Sequence, residues 1–214
     1  MLVAGGYYHL INRGNNKALV FRQPADFRSF IALIDRAQER LPLRLLAYCL
    51  MPNHFHLVVS PDGSSDISRW MHWLTTTHSH RHHLRYGTSG SVWQGRFRAF
   101  RIENDEHLLT VVRYVERNAL RAGLVGKAEH WPWSSLALRI AGGSADRLAD
   151  LPFALPARWA GLVNEPQSPA ELAALRNCVK RQNPFGNPAW VEKTLSPHRG
   201  DGPSRPRGRP RKNQ

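Results

Sequence analysis

Residues 7–12 (YYHLIN) carry the residue types of a β-strand and stop at Arg13-Gly14-Asn15-Asn16, a turn-forming set. The period then changes. Phe27, Phe30, Ile31, Leu33, Ile34 and Ala37 recur at spacings of three and four, predicting a helix over 25–40 with Asp26 near its start, where a carboxylate suits the helix dipole. That apolar stripe is wide enough to lie on a sheet. Residues 43–50 (LRLLAYCL) and 54–60 (HFHLVVS) are two β-rich runs around the turn Met51-Pro52-Asn53, an antiparallel hairpin at the centre of the sheet. A helix over about 66–85, an extended run over about 93–102 and a helix over about 104–122, closed at Gly123, complete the pattern. The order β-α-β-β-α-β-α predicts an α+β domain, an antiparallel sheet with packed helices, and not a doubly wound one.

Beyond Trp133 the chain turns to Ala, Pro and Gly, with helical patches at about 134–141 and 169–182. The expected organisation is a main domain over 1–136, a small helical C-terminal extension over 137–195 and a tail over 196–214. The tail is Pro, Gly and Arg with almost no apolar residue, so burial cannot offset its ordering entropy and it is expected to be a disordered basic tail. No internal repeat is present.

Composition sharpens the choice of partner. The 214 residues hold 30 Lys+Arg against 16 Asp+Glu, a net charge of +14, which points to a polyanion: nucleic acid first, an anionic membrane surface second. The last nineteen residues hold six of the basic side chains and one acid, so the rest of the chain still carries +9. No apolar stretch reaches the roughly 18 residues of a membrane span, and the N-terminus lacks a signal-peptide pattern, so no membrane partner and a cytoplasmic location are expected. Cys49 and Cys178 stand alone, which suggests packed, reduced thiols and neither a disulfide framework nor a zinc knuckle.

Two segments bear candidate chemistry. Strand alternation over 54–59 puts His54, His56 and Val58 on one face and Phe55, Leu57 and Val59 on the other. Same-face neighbours lie roughly 6.5–7 Å apart, a span two imidazoles can close on one divalent ion, although a wet strand face would show the same pattern. On the helix over 104–122, Leu108, Val111, Val112, Val115 and Ala119 form the apolar stripe. Tyr114 and Asn118 are i and i+4, about 40° apart around the axis, with Arg117 and Arg121 beside them. That face suits a phosphodiester: arginines neutralise phosphate oxygens, Asn118 offers an oxygen to a metal, and Tyr114 supplies a nucleophile. A phenol has a pKa near 10 and needs nearby positive charge to attack at neutral pH. An amphipathic tyrosine at the rim of a helix–sheet contact would fit the spacing equally.

The string MPNHFHLVV resembles the HUH signature (His, hydrophobic, His) of single-tyrosine, IS200-like transposases, and more narrowly the REP-associated tyrosine transposases of bacteria. Tyr-Val-Glu-Arg-Asn-Ala-Leu-Arg-Ala-Gly-Leu-Val at 114–125 is similar to the tyrosine motif of that family, in which many members have Pro where this chain has Ala119. Alanine continues a helix more readily, so the placement of Tyr114 is unaffected. The resemblance spans about 5–136 and implies a ferredoxin-like HUH endonuclease fold. It also implies Tyr114 as the catalytic nucleophile, and His54, His56 and Asn118 as ligands of Mg²⁺ or Mn²⁺. The implied reaction is cleavage and rejoining of single-stranded DNA near palindromic hairpins through a 5′-phosphotyrosine. The bond energy is stored in that ester, so no nucleotide cofactor is expected, and the chain has no phosphate-binding GxxxxGK[ST] loop. A nucleoid-associated protein, monomeric rather than homodimeric, is the accompanying expectation. The alternative function is a non-catalytic protein on the same fold that binds hairpins or regulates.

Further groups are expected to hold DNA. Arg13 and Asn15 follow the first strand in a family-like Arg-Gly-Asn turn. HSHRHH at 78–83 could chelate through His78 and His82, but Arg81, Arg85, Trp70 and Trp73 around it favour a basic, aromatic helix against nucleic acid. In Gly90–Arg98, also family-like, Trp93 is expected to stack on bases while Arg96 and Arg98 meet phosphates; Phe97 could stack or fill the core. Arg117 and Arg121 join them. In the tail, Arg207-Gly208-Arg209-Pro210 is the core of a minor-groove AT-hook, or simply part of an electrostatic arm.

Overall fold

The structure is a computed structural model that describes residues 3–63, 66–103, 105–143 and 147–196. Four strands, β1 (Tyr7–Arg13), β2 (Arg44–Met51), β3 (His54–Ser60) and β4 (Arg98–Ile102), form one sheet in the order β2-β3-β1-β4, each pair antiparallel. Helix α1 (Pro24–Arg40) links β1 to β2, and α2 (Asp66–Tyr86) links β3 to β4. This is the ferredoxin-like βαββαβ arrangement expected above. The strand expected over 93–102 is shorter than its pattern suggested. Residues 93–97 leave the regular ladder, held to the end of β1 by the Trp93–Gly14 bridge, by Gln94 N–H donating to Arg13 O (2.8 Å) and by Asn12 Nδ2 donating to Gly95 O (3.2 Å), and strand pairing begins at Arg98.

Alternation divides the sheet residues between two apolar layers. Tyr8, Leu10, Phe55, Leu57 and Val59 face α1 and α2, where they meet Phe27, Phe30, Leu33, Ile34, Trp70 and Leu74. The opposite face carries Ala47, Val58, Phe100 and Ile102 against Leu108, Val111, Val112 and Val115 of α3 (Asp105–Glu116). A bulge between Leu45 and Ala47 lets both Leu46 and Ala47 join that second layer. The helix expected to run unbroken to 122 divides: α3 ends at Glu116, and a four-residue α4 (Asn118–Arg121) follows.

Residues after Trp133 cover both edges of the sheet. On the β2 side, Leu50 donates its backbone N–H to Trp133 O (2.9 Å) and Ala149 donates to Leu45 O (2.8 Å). On the β4 side, Phe185 N–H donates to Arg101 O (2.8 Å) and Glu103 N–H to Phe185 O (3.0 Å). Backbone groups that would otherwise invite another chain are thereby satisfied. The helices of this region are α5 (Ser135–Ile140), α6 (Trp159–Asn164), α7 (Pro169–Arg181) and α8 (Pro188–Leu195). The sequence pattern showed α5 and α7 and missed α6 and α8, which are short and cross Pro-, Gly- or Trp-containing segments. Trp159, Val163, Leu175 and Cys178 complete the α3 layer, so the extension packs as part of that core. Of the tail, residues 197–214 lie outside the described residues.

Glu116 is the polar hub of this layer. Its fully buried carboxylate accepts from Ser135 Oγ (2.6 Å), Arg139 Nε (3.0 Å) and Trp159 Nε1 (2.7 Å), tying α3 to α5 and α6. Arg139 also donates to Leu46 O at the bulge. Removing the carboxylate would strand a largely buried guanidinium. Glu116→Ala is therefore expected to lower stability by about 3–5 kcal/mol, read as a shifted denaturant midpoint with unchanged slope. A loss below about 1 kcal/mol would contradict the hub role.

Candidate active site

The register of β3 aims its histidines at the α3 side. His54 pairs with Arg13 and Met51, and His56 with Ile11 and Cys49. The two rings stand 5.0 Å apart between centroids. Tyr114, on the last full turn of α3, presents its ring edge-on to His56 at 6.0 Å. Asn118 lies just across the Arg117 junction, and the break leaves it on the same side as Tyr114. His54, His56, Tyr114 and Asn118 line one cleft of about 310 Å³, together with Ile11, Arg13, Arg98, Arg176, Val179 and Lys180. Tyr114 is only 6% exposed yet borders this cleft, so its ring is held by packing while one side stays accessible.

Hydrogen bonding sets the state of His54. Asn53 Nδ2 donates to Lys17 O (3.2 Å), which turns Asn53 Oδ1 toward His54 Nδ1 at 2.6 Å. An amide oxygen only accepts, so His54 holds its proton on Nδ1 and its Nε2 is bare. Burial, then Arg13 and Arg121, push the His54 pKa down to about 4. Burial and the neighbouring His9 and His54 hold that of His56 well below the usual range. Both rings are thus neutral at physiological pH, the form that ligates a metal.

The side chain of Asn118 offers the remaining donor. Its Oδ1 accepts from Arg121, and its Nδ2 is buried without a protein partner. Among the described residues no group of three or more His, Cys, Asp or Glu could hold a metal ion. Two imidazoles and an amide oxygen fit a Mg²⁺- or Mn²⁺-type ion only if water or phosphate oxygens complete the shell. The cleft lining has no carboxylate and is cationic, with Arg13, Arg98, Arg176 and Lys180 on it. Arg121 lies behind, its guanidinium 4.1 Å over the Tyr114 ring.

Three contributors escaped the sequence reading. His9 lies edge to edge with His56 beneath the cleft, the two ring planes 12° apart, and a histidine inside an otherwise apolar strand was the available signal. Arg176 and Lys180 come from α7; their i, i+4 spacing was visible, but nothing in the sequence said that α7 returns to the sheet.

Other expected contacts are corrected. Trp93 is 6% exposed and packs on Phe55 and Phe30, so its indole fills the core and is not offered to bases. Arg117 turns from the cleft and donates to the carbonyls of Val163 and Asn164 on α6. Arg85 pairs with Asp26 at 2.8 Å, which commits its charge. Trp70 and His78 are buried on the sheet side of α2, which removes most of the aromatic surface expected there; Arg81 stays half-buried. Asn15 is half-buried, its backbone N–H donating to Val92 O (2.8 Å). Gly14 is needed here for close approach, since a Cβ would lie 2.3 Å from Ala18 O. Arg96 and Arg98 are exposed. Arg207 and Arg209 lie outside the described residues.

Comparison with known proteins now decides the family. The family described as "Transposase IS200 like" matches residues 3–118, which contain every strand, both histidines, Tyr114 and Asn118. The chain belongs to the IS200-like transposases. Membership makes it a DNA-transposition enzyme, one that cuts DNA and transfers strands. A Haemophilus influenzae protein carrying the name REP-associated tyrosine transposase is 27% identical to this IS200-like chain over 144 residues, covering 61% of this chain and 80% of that one. A REP-associated tyrosine transposase solved bound to a REP hairpin shares the fold, with a TM-score of 0.58 at 21% identity over 73% of this chain and 93% of that one. Among the described residues of this family member, no helix is long and apolar enough to cross a membrane.

His78 yields a pH test away from the cleft. It packs among Phe21, Phe30 and Trp93 with Nδ1 unpaired, and burial pushes its pKa down to about 3. The unfolded chain binds this proton near pH 6.5 and the folded chain does not, so the stabilisation is complete above that pH and is lost as pH falls toward 3. His78→Leu should flatten the pH dependence of unfolding free energy between pH 6.5 and 4 by one proton, about 1.4 kcal/mol per pH unit. Parallel curves for the two proteins would show that His78 takes up its proton while folded.

Proposed function

We propose that this transposase cleaves and rejoins single-stranded DNA beside a hairpin, with Tyr114 as nucleophile and a metal held by His54, His56 and Asn118. The observation that carries the reading is the convergence of these four side chains, from β3, α3 and α4, on one cationic cleft. The hairpin substrate is taken from the REP hairpin named with the structural relative.

The Tyr114 hydroxyl oxygen attacks the scissile phosphorus, and its proton passes to water in the open cleft. The new bond joins the phenolic oxygen to the 5′ phosphate, and the bond to the 3′ oxygen breaks; that oxygen takes a proton from water and becomes a free 3′ hydroxyl. Attack by a 3′ hydroxyl reverses the step, so rejoining needs no nucleotide cofactor. Mg²⁺ or Mn²⁺, when bound, would supply Lewis-acid stabilisation of the phosphate oxygens. Arg13, Arg98, Arg176 and Lys180 neutralise the phosphates, and Arg121 faces the aromatic ring whose oxygen gains and loses charge. Arg98 also borders a neighbouring groove of about 620 Å³, between α2 and Gly95–Phe97, lined by Ser68, His72, Thr75, Arg96 and Phe97. A strand leaving the cleft past Arg98 would enter this groove. His54, His56, Tyr114 and Asn118 meet within one chain, so the proposed chemistry asks for no side chain of a second subunit.

Labelled hairpin DNA incubated with and without Mn²⁺ tests the chemistry. The wild type should form a covalent protein–DNA adduct on denaturing gels, and Tyr114→Phe should bind the hairpin without cutting it. Cleavage without an adduct would assign the attack to water, binding alone would leave a regulatory protein, and near-normal cutting by the variant would sink the tyrosine mechanism. A separate measurement concerns α7. Replacing Arg176 and Lys180 together with Ala should flatten the plot of log K against log salt for single-stranded DNA by about 1.4, near 0.7 per lost phosphate contact. An unchanged slope would place the strand away from α7.

A further inference from the structure

We propose that His9 is a positioning residue: it accepts a hydrogen bond from His56 and thereby leaves the cleft-facing nitrogen of His56 bare for a metal. The inference rests on the metal reading of the site and adds to it a residue that never meets the metal or the DNA.

His9 lies on β1, between Val58 of β3 and Phe100 of β4. Its Nε2 is 2.8 Å from His56 Nδ1, and the two rings are 4.9 Å apart with 12° between their planes. Phe100 lies 4.8 Å from the His9 ring, and Tyr114 meets it edge-on at 6.3 Å. The ring is wholly buried, its Nδ1 has no partner, and it does not line the cleft. It cannot be a third ligand.

One proton is shared in a hydrogen bond between two neutral imidazoles, so two arrangements are possible. If His9 donates, His56 accepts on Nδ1 and carries its own proton on Nε2. The nitrogen on the cleft side is then a donor with no lone pair for a metal. If His56 donates from Nδ1, its Nε2 is bare, and the His9 proton sits on Nδ1 beside Phe100. The surroundings choose between them. Arg13 lines the cleft that His56 borders, and a lone pair turned toward positive charge is favoured over an N–H turned toward it. His54 reaches the same state through Asn53, so each of the two histidines has its own acceptor: a half-buried amide for one, a buried imidazole for the other.

Fixing the tautomer also fixes the ring. Near-parallel contact with His9 on one strand, and pairing with Ile11 and Cys49 on both sides, leave His56 little freedom about its side-chain torsions. The outer partner of a metal-bound histidine commonly governs metal affinity by about 10–100-fold.

Two measurements test this. In the metal-free wild type, nitrogen-15 spectra of the His56 ring should show the proton on Nδ1 and a bare Nε2; a proton on Nε2 overturns the proposal. In the second, Mn²⁺ binding is followed by paramagnetic resonance in a Tyr114→Phe background with an uncut single-stranded hairpin present. His9→Phe keeps an aromatic ring but cannot accept, and should weaken Mn²⁺ about 10–100-fold without changing DNA affinity. His9→Gln restores an acceptor and should recover most of that loss. Unchanged Mn²⁺ affinity in the Phe variant, or a Gln variant as weak as Phe in a protein that melts normally, overturns it. If the His9-wild-type protein in that background binds no Mn²⁺, the metal reading fails, and the His56 spectrum alone decides the part played by His9; it does so too if the variants do not fold.

Discussion

Strand β3 lies between β2 and β1 with both of its faces buried, and that register is the constraint on which the site depends. A slip of one residue would carry Phe55, Leu57 and Val59 out of the α1–α2 layer and drive His54 and His56 into it, among Phe30, Trp70 and Leu74. Unpaired imidazoles there would cost more than the apolar side chains they replaced could return. The hydrophobic pattern needed for folding is therefore also what aims the histidines. Their fine orientation is a second matter, left to Asn53 and His9, which bind the nitrogens facing away from the cleft.

The electrostatics of the cleft suit a phosphate better than a lone cation. Its histidines are neutral, its lining holds four basic side chains, and no carboxylate offsets them. A divalent ion arriving alone meets like charge, whereas one arriving with a DNA phosphate meets oxygen ligands and compensating charge together. Under the proposed metal reading, such a site would couple metal and strand, each raising the affinity of the other by the same factor.

Local period carried the antiparallel sheet and set His54 with His56, and Tyr114 with Asn118, on shared faces; the strand order and the meeting of the two pairs were implied by the resemblance to the IS200-like transposases. Two residues apart on a strand means one face, and four apart near a helix end means one side; both rules survived the break at Arg117. Contacts set by the return of distant segments were not legible. Arg117 looked like a partner of Tyr114 until α6 came back to take its guanidinium, and Trp93 read as a platform for bases beside Arg96 and Arg98, yet the ring turns inward against Phe55. Arg176 and Lys180 were invisible as site residues for the same reason: the position of α7 is decided by Phe185 pairing with the edge of β4, some eighty residues away in the chain. His9 was missed for a different reason, since a buried histidine gains its meaning only from the second ring across the sheet.

The segments beyond the family match hold Tyr114, the proposed nucleophile, in place. Tyr114 and Glu116 lie two residues apart, so they point to nearly opposite sides of α3. While Tyr114 faces the cleft, Glu116 is locked to Ser135, Arg139 and Trp159 on α5 and α6. In-line attack tolerates little misplacement of the attacking oxygen, and about 1 Å of drift can cost 10²-fold in rate. A helix carrying a nucleophile at its frayed end would drift, since α3 stops at Glu116 itself. The buried carboxylate stops that fraying where it would matter most, and Arg139 extends the restraint to the bulge of β2 through Leu46 O. The extension thus acts on the chemistry twice: α7 supplies charge to the mouth of the cleft, and α5 with α6 hold rigid the turn of helix from which Tyr114 reaches into it.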